Sequence, residues 1–286
     1  MNLNRAIVEQ KLREFLEEDC HFKDVSSEFI PEEEIIKAKI IAKSQGYISG
    51  LEMLSLLFQI LEIKLNILKK NGDPFEKGEV IVELEGNARN ILLSERVGLN
   101  LLTLMSSITT TTKKFVEISE KYGGKTKIAC TRKTTPGLRI FEKRAVELGG
   151  GDTHRYSLDD MILLKDTHLR FYKGDIKKLL EDVKKRASFS KKIEIEIENV
   201  KDILEAAQNG ADVIMCDNMT PQQVKESIEQ LENANLRKNK NLIVEVSGSI
   251  TLENIGKYLE LNPDIISTSN LTLFPSERVD LSLRFD

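Results

Sequence analysis

The chain has few cysteines, no excess of basic residues and no uninterrupted apolar run long enough to span a membrane. Its 286 residues include three cysteines (Cys20, Cys130 and Cys216), which is too few for a disulfide framework and favours a reducing, cytoplasmic setting. The net charge of −4 excludes a general basic surface for nucleic acid or membranes. Charged residues interrupt the most apolar stretch, 51–68, and a charged amphipathic helix occupies the N-terminus. We therefore expect an ordinary globular protein without a signal peptide.

Short apolar runs alternate with amphipathic helical stretches through the second half of the chain. Alternation of this kind predicts parallel strands linked by helices, with the functional residues at the C-terminal ends of the strands. The number of runs is smaller than a complete barrel needs, so we predict an incomplete parallel α/β barrel. The runs cover residues 127–130, 161–164, 193–197, 213–216, 242–246 and 264–266.

The first part of the chain mixes helices and strands without this alternation, which indicates a separate α/β sandwich domain. A long helix is predicted from about Arg89 to Leu104, and the threonine run 109–112 marks the expected junction. The alternating segment 279–283 resembles a strand that returns to the N-terminal sheet. The predicted fold class is therefore α/β, with a sandwich domain at 1–110 (joined by 275–286) and a barrel at 111–274.

Charged and small polar residues follow most of the predicted barrel strands. Arginine binds carboxylates or phosphates through two parallel hydrogen bonds, and lysine supplies a compact charge. Backbone N–H groups in Ser/Gly turns before a helix offer a phosphate site, although such residues also occur in ordinary turns. The set suits a small substrate with several negative charges. It comprises Thr131, Arg132, Lys133, Lys165, Asp217, Ser247, Gly248, Ser249, Ser269 and Asn270.

The glycine-rich segment 149–155 adds His154 and Arg155 to the candidate site. Glycines allow close approach of a ligand to the backbone, although many such segments are plain loops. His154 and His168 with Asp217 are an alternative transition-metal set, but their spacing matches no standard zinc pattern.

Three carboxylates alternate along one predicted strand, at positions 194, 196 and 198, and therefore share one face. The carboxylate nearest the strand's C-terminal end, with Asp217 on the next strand, is suited to ribose hydroxyls or Mg²⁺. The alternative is a pair of structural salt bridges to Lys133 and Lys165. Cys130 and Cys216 lie inside predicted strands and are interpreted as packing residues.

Taken together, these motifs resemble the quinolinate phosphoribosyltransferase family, over nearly the whole chain. The segment 94–100 and the stretch 42–52 match in the first domain. The motifs that carry the resemblance are TRKTTPGLR (131–139), GGGDTHR (149–155), LLKDTH (163–168), EIEIEN (194–199) and CDNM (216–219).

The resemblance implies transfer of a phosphoribosyl group from phosphoribosyl pyrophosphate to quinolinate with loss of CO₂, as a step of NAD biosynthesis. It implies Mg²⁺ as cofactor and a homodimer or larger homo-oligomer, in which Arg96 enters the neighbour's site. Lys133, Lys165, Glu196 and Asp217 would be catalytic, the last two also near Mg²⁺ on the pyrophosphate. The substrates would be bound by Thr131, Arg132, His154, Arg155, Ser247, Gly248, Ser249, Ser269 and Asn270.

Three positions depart from the family's usual pattern. Ser249 stands where a glycine is usual, Leu273 where a histidine is usual, and Thr167 where an asparagine is usual. The first two changes fall at the expected 5′-phosphate subsite. They keep two alternatives open: a paralogue with another acceptor, such as the ModD branch associated with molybdenum transport, and a non-catalytic sensor of an anionic metabolite.

Overall fold

A computed structural model describes residues 3–285 of the chain. Helices cover much of this range, and several begin at a residue that caps the first turn. For example, Thr220 directly precedes the helix that starts at Pro221 and forms a reciprocal capping box with Gln223. The helices are α1 (Arg5–Asp19), α2 (Leu51–Ile60), α3 (Ala88–Lys121), α4 (Arg139–Leu148), α5 (Asp166–Phe171), α6 (Ile176–Arg186), α7 (Ile203–Gln208), α8 (Pro221–Asn233), α9 (Leu236–Lys240) and α10 (Ile255–Leu259).

Strands occur in both halves of the described chain and belong to three separate sheets. Apolar, β-branched residues dominate the longer ones, as expected for strands that are buried on at least one face. The strands are β1 (Ile35–Ala42), β2 (Gly46–Tyr47), β3 (Lys64–Ile67), β4 (Pro74–Phe75), β5 (Val80–Asn87), β6 (Lys127–Cys130), β7 (Ile162–Leu164), β8 (Ile193–Ile197), β9 (Val213–Asp217), β10 (Ile243–Ser247), β11 (Ile265–Thr268) and β12 (Leu281–Phe285).

The chain divides into two compact units. The first unit contains the chain up to Lys113, residues 135–150 and the segment from Pro275 onward. The second unit contains residues 114–134 and 151–274. The sequence-based domain boundaries place 135–150 in the barrel instead, so the two divisions differ over the segment that carries α4.

The second unit contains a parallel sheet in the order β6-β11-β10-β9-β8-β7. Every neighbouring pair in this sheet is parallel. The order is that of a barrel opened between β6 and β7, so the predicted fold class is confirmed. Parallel strands place their C-terminal ends at one edge, which is where the functional residues were predicted.

The first unit contains an antiparallel sheet in the order β12-β1-β5-β3 and a two-stranded sheet of β2 and β4. β12 pairs with β1 over five residue pairs, from Ala38 opposite Phe285 to Ala42 opposite Leu281. The predicted return of the C-terminal strand to the N-terminal sheet is therefore confirmed.

The predicted end of the long helix near Leu104 is wrong, because α3 continues to Lys121. The threonines at 109–112, which were predicted to form a junction, lie inside the helix and are at most 4% exposed. Thr112 donates its hydroxyl hydrogen bond to the carbonyl of Ile108 at 2.8 Å. Threonine has a weak helix propensity, and here burial and this backbone contact outweigh it. The predicted boundary at residue 110 consequently falls within a continuous helix.

By length and composition alone, α3 is long and apolar enough to cross a membrane. However, 61% of its most apolar window is buried inside the protein. Core helices of water-soluble proteins have the same property, so the length of α3 is only weak support for a membrane segment.

Candidate active site

A pocket of about 770 Å³ opens at the C-terminal ends of the strands in the second unit. Its lining includes every predicted site residue except Arg96. Residues from all six strand ends and the loops that follow them are represented, as the parallel topology requires. The predicted residues in the lining are Thr131, Arg132, Lys133, His154, Arg155, Lys165, Glu196, Asp217, Ser247, Gly248, Ser249, Ser269 and Asn270.

Two guanidinium groups lie close together in this pocket. Arg155 is only 8% exposed, and its Nη1 donates to the carbonyl of Met161 at 3.1 Å. Burial and the nearby positive charge of Arg132 lower the pKa of Arg155. The Nε of Arg132 is buried and has no hydrogen-bond partner within residues 3–285. An unpaired buried donor beside a second cation is costly unless an anionic ligand accepts from it.

Two carboxylates in the lining, Glu196 and Asp217, stand on the adjacent strands β8 and β9. Lys165 contacts Glu196 at 2.5 Å between Nζ and Oε1. Burial raises the pKa of Glu196, Lys165 opposes this effect, and the nearby charge of Asp217 adds to it. Asp217 itself accepts a hydrogen bond from the side chain of Asn218 at 3.0 Å. The salt bridge considered for Lys165 is thus present, but it lies within the pocket rather than apart from it.

The imidazole of His154 uses both nitrogens within the protein. Its Nδ1 accepts from the backbone N–H of Arg155 at 2.8 Å, and its Nε2 lies 3.0 Å from Oε2 of Glu245. Burial lowers the pKa of His154, but contacts with Glu194 and Glu245 outweigh burial and raise it to about 10. The Arg155 amide opposes a second proton, because a protonated Nδ1 could not accept its hydrogen bond. With Nδ1 accepting, the first ring proton lies on Nε2, next to the two carboxylates, and the second proton that the raised pKa implies would break the contact with the Arg155 amide.

The backbone at His154 adopts a left-handed conformation with φ of +52°. Asp152 holds it there by accepting a hydrogen bond from the His154 amide at 2.8 Å. The backbone of Asp152 in turn pairs with β6, through bonds with Ile128 and Cys130. The glycine-rich segment is therefore anchored to the sheet just before it delivers His154 and Arg155 to the pocket.

His154, Glu194 and Glu245 each offer a donor atom within 4.8 Å of the others, a spacing that a metal ion could occupy. A proton on Nε2 leaves that nitrogen unable to ligate a metal, so the hydrogen bonds argue against such a site. His168 is used elsewhere: its Nδ1 accepts from the Lys165 amide at 3.0 Å, where α5 begins. The alternative set of His154, His168 and Asp217 gains no support from this arrangement.

The serine turns at the ends of β10 and β11 have conformations that few residues tolerate. Gly248 has φ of +101°, and a Cβ there would lie 2.3 Å from Oδ1 of Asn218. Ser249 has φ of +52°, which is unfavourable for a residue other than glycine. Asn270 donates its side-chain N–H to the carbonyl of Ile250 at 2.7 Å, which fixes the last loop against this turn.

Arg96 lies on α3 in the first unit and does not line this pocket. Its side chain is 61% exposed, and the ion pair formed by this guanidinium spans 3.8 Å to Glu95. The proposed entry of Arg96 into a neighbour's site stays a prediction.

Glu245 and Ser267 are among the pocket residues that were not assigned a role from the sequence. Glu245 is fully buried although its side chain carries a carboxyl group, and Ser267 is 1% exposed and donates to Glu245. A charged residue within the apolar run 242–246 is the signal that could have identified Glu245. Cys130 and Cys216 are both buried, as the packing interpretation expected. Burial raises the pKa of Cys216 to about 12, which makes it a poor nucleophile.

Comparison with known families assigns both parts of the chain. Residues 24–106 match the N-terminal domain of quinolinate phosphoribosyl transferase, and residues 108–284 match its C-terminal domain. The chain belongs to the quinolinate phosphoribosyltransferase family. The resemblance carried by the sequence motifs is therefore confirmed.

Relatives in this family match along most of the chain. A probable nicotinate-nucleotide pyrophosphorylase [carboxylating] of Archaeoglobus fulgidus is 42% identical, over 87% of this chain and 94% of its own length. The corresponding protein of Methanothermobacter thermautotrophicus is 39% identical, over 95% of this chain and 96% of its own. The crystal structure of NadC from Streptococcus pyogenes superposes with a TM-score of 0.90 at 32% identity, covering 100% of this chain and 99% of that one.

The buried carboxylate of Glu194 generates a prediction about stability and pH. Neither of its oxygens has a hydrogen-bond partner among the described residues, and the pKa of this group is raised to about 7 from 4.5, first by burial. Because the folded-state pKa is the higher one, this group's contribution to stability is complete below pH 4.5 and is lost as pH rises through 7. Glu194→Gln should therefore gain stability over the wild type as pH rises, by on the order of 2 kcal/mol.

Thermal unfolding of both proteins across this pH range measures the effect. Glu226→Gln, at an exposed position on α8, is the matched control and should show no pH-dependent gain. A constant difference between Glu194→Gln and wild type at all pH values would contradict the prediction.

Proposed function

We infer that this protein is a carboxylating pentosyltransferase. It transfers the phosphoribosyl group of phosphoribosyl pyrophosphate to quinolinate and releases pyrophosphate, CO₂ and nicotinate mononucleotide, a step in NAD biosynthesis. The family membership and the full-length relatives named nicotinate-nucleotide pyrophosphorylase [carboxylating] support this function. The observation on the site that carries it is the unpaired, buried Nε of Arg132 beside Arg155. Such a pair is suited to a ligand with two carboxylates.

Quinolinate is assigned to the side of the pocket that contains Arg132 and Arg155. Their guanidinium groups would bind its two carboxylates, and Thr131 and the His154 segment would shape this end. Both nitrogens of His154 are already engaged, so this residue orients the segment rather than offering a free donor. Lys133 and Lys165 would face the developing charge between the two substrates.

The phosphoribosyl donor, phosphoribosyl pyrophosphate, is assigned to the part of the pocket formed by Glu196, Asp217 and the serine turns. Ser247, Gly248, Ser249, Ser269 and Asn270 would hold the 5′-phosphate through backbone N–H groups and hydroxyls. The hydroxyl of Ser249 supplies an additional donor where the family usually has glycine, and this can offset the loss of a histidine at Leu273. Glu196 and Asp217 would face the ribose hydroxyls.

Mg²⁺ is the proposed cofactor, and the carboxylates of Glu196 and Asp217 fit it. Both line the pocket on adjacent strands, and carboxylate oxygens are the ligands that Mg²⁺ prefers. Glu196 already contacts Lys165, so the two carboxylates do not form a complete cage by themselves. When bound, Mg²⁺ would neutralise charge on the pyrophosphate of the donor.

The reaction needs positioning and charge compensation more than a protein nucleophile. The pyridine nitrogen of quinolinate forms a bond to the anomeric carbon as the bond to pyrophosphate breaks. Lys133 and Lys165 compensate the charge that develops on the leaving group, while Glu196 and Asp217 stabilise the oxocarbenium-like sugar. The 2-carboxylate then departs as CO₂, the electron pair of the broken bond stays on C2, where the adjacent positive ring nitrogen stabilises it, and a proton from solvent takes the place of the carboxylate.

The functional assembly is proposed to be a homodimer or larger homo-oligomer that works in the cytoplasm. Arg96 is an exposed cation in the first unit with a distant ionic partner, which suits a contribution to a neighbouring chain's site. The small number of cysteines agrees with a reducing compartment.

Incubation of the purified protein with quinolinate, phosphoribosyl pyrophosphate and Mg²⁺ tests the function. Nicotinate mononucleotide and CO₂ should form in equal amounts, and omission of any one component should prevent product formation. Folded protein that forms no product would contradict the assignment. Product with another nitrogen heterocycle would then indicate a paralogue, and ligand binding without any product a sensor.

Lys133→Ala should reduce turnover by at least roughly 10²-fold without unfolding the protein. The side chain of Lys133 is exposed in the pocket, so its loss removes charge but little packing. Lys225→Ala is the matched control, because Lys225 is an exposed lysine on α8. Steady-state rates and melting temperatures of the three proteins provide the comparison, and near-normal turnover in Lys133→Ala would exclude the catalytic role.

Arg96→Ala should be inactive because a cross-subunit contact is missing. If so, mixing Arg96→Ala with Lys133→Ala chains should restore activity, since some mixed sites then contain both native residues. Differently tagged chains allow subunit exchange to be demonstrated in the same samples. Absence of recovery after proven exchange would count against a shared site.

A further inference from the structure

We propose that Glu245 is a positioning residue that ties the acceptor end of the pocket to its phosphate end. It acts through His154 on one side and Ser267 on the other. This role rests on the proposed function, because it assigns the two ends to quinolinate and to the 5′-phosphate.

The contacts form a continuous chain beneath the pocket. At the phosphate end, the hydroxyls of Ser247 and Ser267 lie 3.0 Å apart, and Ser267 donates to Oε1 of Glu245 at 2.5 Å. The other carboxylate oxygen, Oε2, lies 3.0 Å from Nε2 of His154. Nδ1 of His154 then accepts from the amide of Arg155 at 2.8 Å. The carboxylate thus uses separate oxygens for the two ends.

Because these groups are buried, a hydrogen bond lost among them is not readily replaced by water, and their positions are restrained. Glu245 is 0% exposed, Ser267 is 1% exposed and the His154 side chain is 10% exposed, so water has little access to replace a lost bond. A buried carboxylate that loses a donor keeps its desolvation penalty, so each contact restrains the next. Glu245 sits on β10 directly beside Ile265 of β11, and this pairing fixes its height in the sheet.

These linked contacts orient the backbone of Arg155. His154 has a left-handed backbone conformation, and its ring is the group that receives the next residue's amide. A shift of the ring therefore shifts the segment that carries the Arg155 guanidinium. Through Glu245, the position of the Arg155 guanidinium group therefore depends on Ser267 and Ser247 at the phosphate end of the pocket.

A substitution at the phosphate end should accordingly change the binding of quinolinate at the acceptor end. Ser267→Ala removes the donor to Glu245 but does not alter any residue assigned to quinolinate. We expect it to raise the KM for quinolinate roughly 3- to 10-fold, in addition to any effect on the donor substrate. Glu245→Gln, which keeps the shape but not the charge, should have a smaller effect than Glu245→Ala.

Ser227→Ala is the matched control. Ser227 is likewise a fully buried serine of the second unit, but it lies on α8 and bonds to Met219 and Gln223. Its substitution deletes the same hydroxyl group without touching Glu245. The KM for quinolinate should stay at the wild-type value in this variant.

A spectroscopic measurement tests the contacts without turnover. The chain has only three histidines, so the ring nitrogen signals of His154 can be assigned by substituting His21 and His168 in turn. In ¹⁵N-histidine-labelled protein, Ser267→Ala should shift the Nε2 signal of His154, and Ser227→Ala should leave it in place.

The combined results separate this proposal from the proposed function. An unshifted His154 signal and an unchanged KM for quinolinate in folded Ser267→Ala would overturn the role of Glu245, even if the wild type makes nicotinate mononucleotide. A shifted signal together with a raised KM would support it. If the wild type is inactive with quinolinate, the function fails, and with it the acceptor assignment, whatever the His154 signal shows.

Discussion

The arrangement of the site depends on two buried carboxylates that position His154. Glu194 on β8 and Glu245 on β10 flank β9 in the parallel sheet, and both are fully buried. An unpaired charge in such a position is strongly destabilising. His154 lies between them, 3.5 Å from Glu194 and 3.0 Å from Glu245, and its position determines where the Arg155 backbone lies. Glu194 and Glu245 thereby hold in place the segment that brings Arg155 to the pocket. An anionic substrate therefore meets the guanidinium group of Arg155, while the side chains of Glu194 and Glu245 have no exposed surface.

The sequence was sufficient to predict the parallel sheet and most of the pocket. Each of the six apolar runs became a strand, because runs rich in Ile, Val and Leu between amphipathic helices have few other stable arrangements. Parallel strands then bring residues such as Lys133, Lys165 and Asp217 to one edge, although they are far apart in the chain. The return of β12 to the first sheet was likewise visible in the alternation of 279–283.

Features that depend on tertiary packing were not predictable in the same way. The extension of α3 through Thr109–Thr112 depends on burial that local propensity does not report. The partners of His154 were also hidden, since the sequence places the histidine in a glycine-rich loop and Glu245 on a distant strand. The left-handed backbone at Ser249 could not be read from a residue type that normally avoids it.

The central claim is that the cations around Arg132 and Arg155 recognise a ligand with two carboxylates. Calorimetric titration with quinolinate and with nicotinate, which lacks the 2-carboxylate, tests this claim most directly. The account predicts that quinolinate binds at least about tenfold more tightly, because a second charge-assisted contact is lost with nicotinate. Equal affinities for the two ligands in folded protein would contradict it.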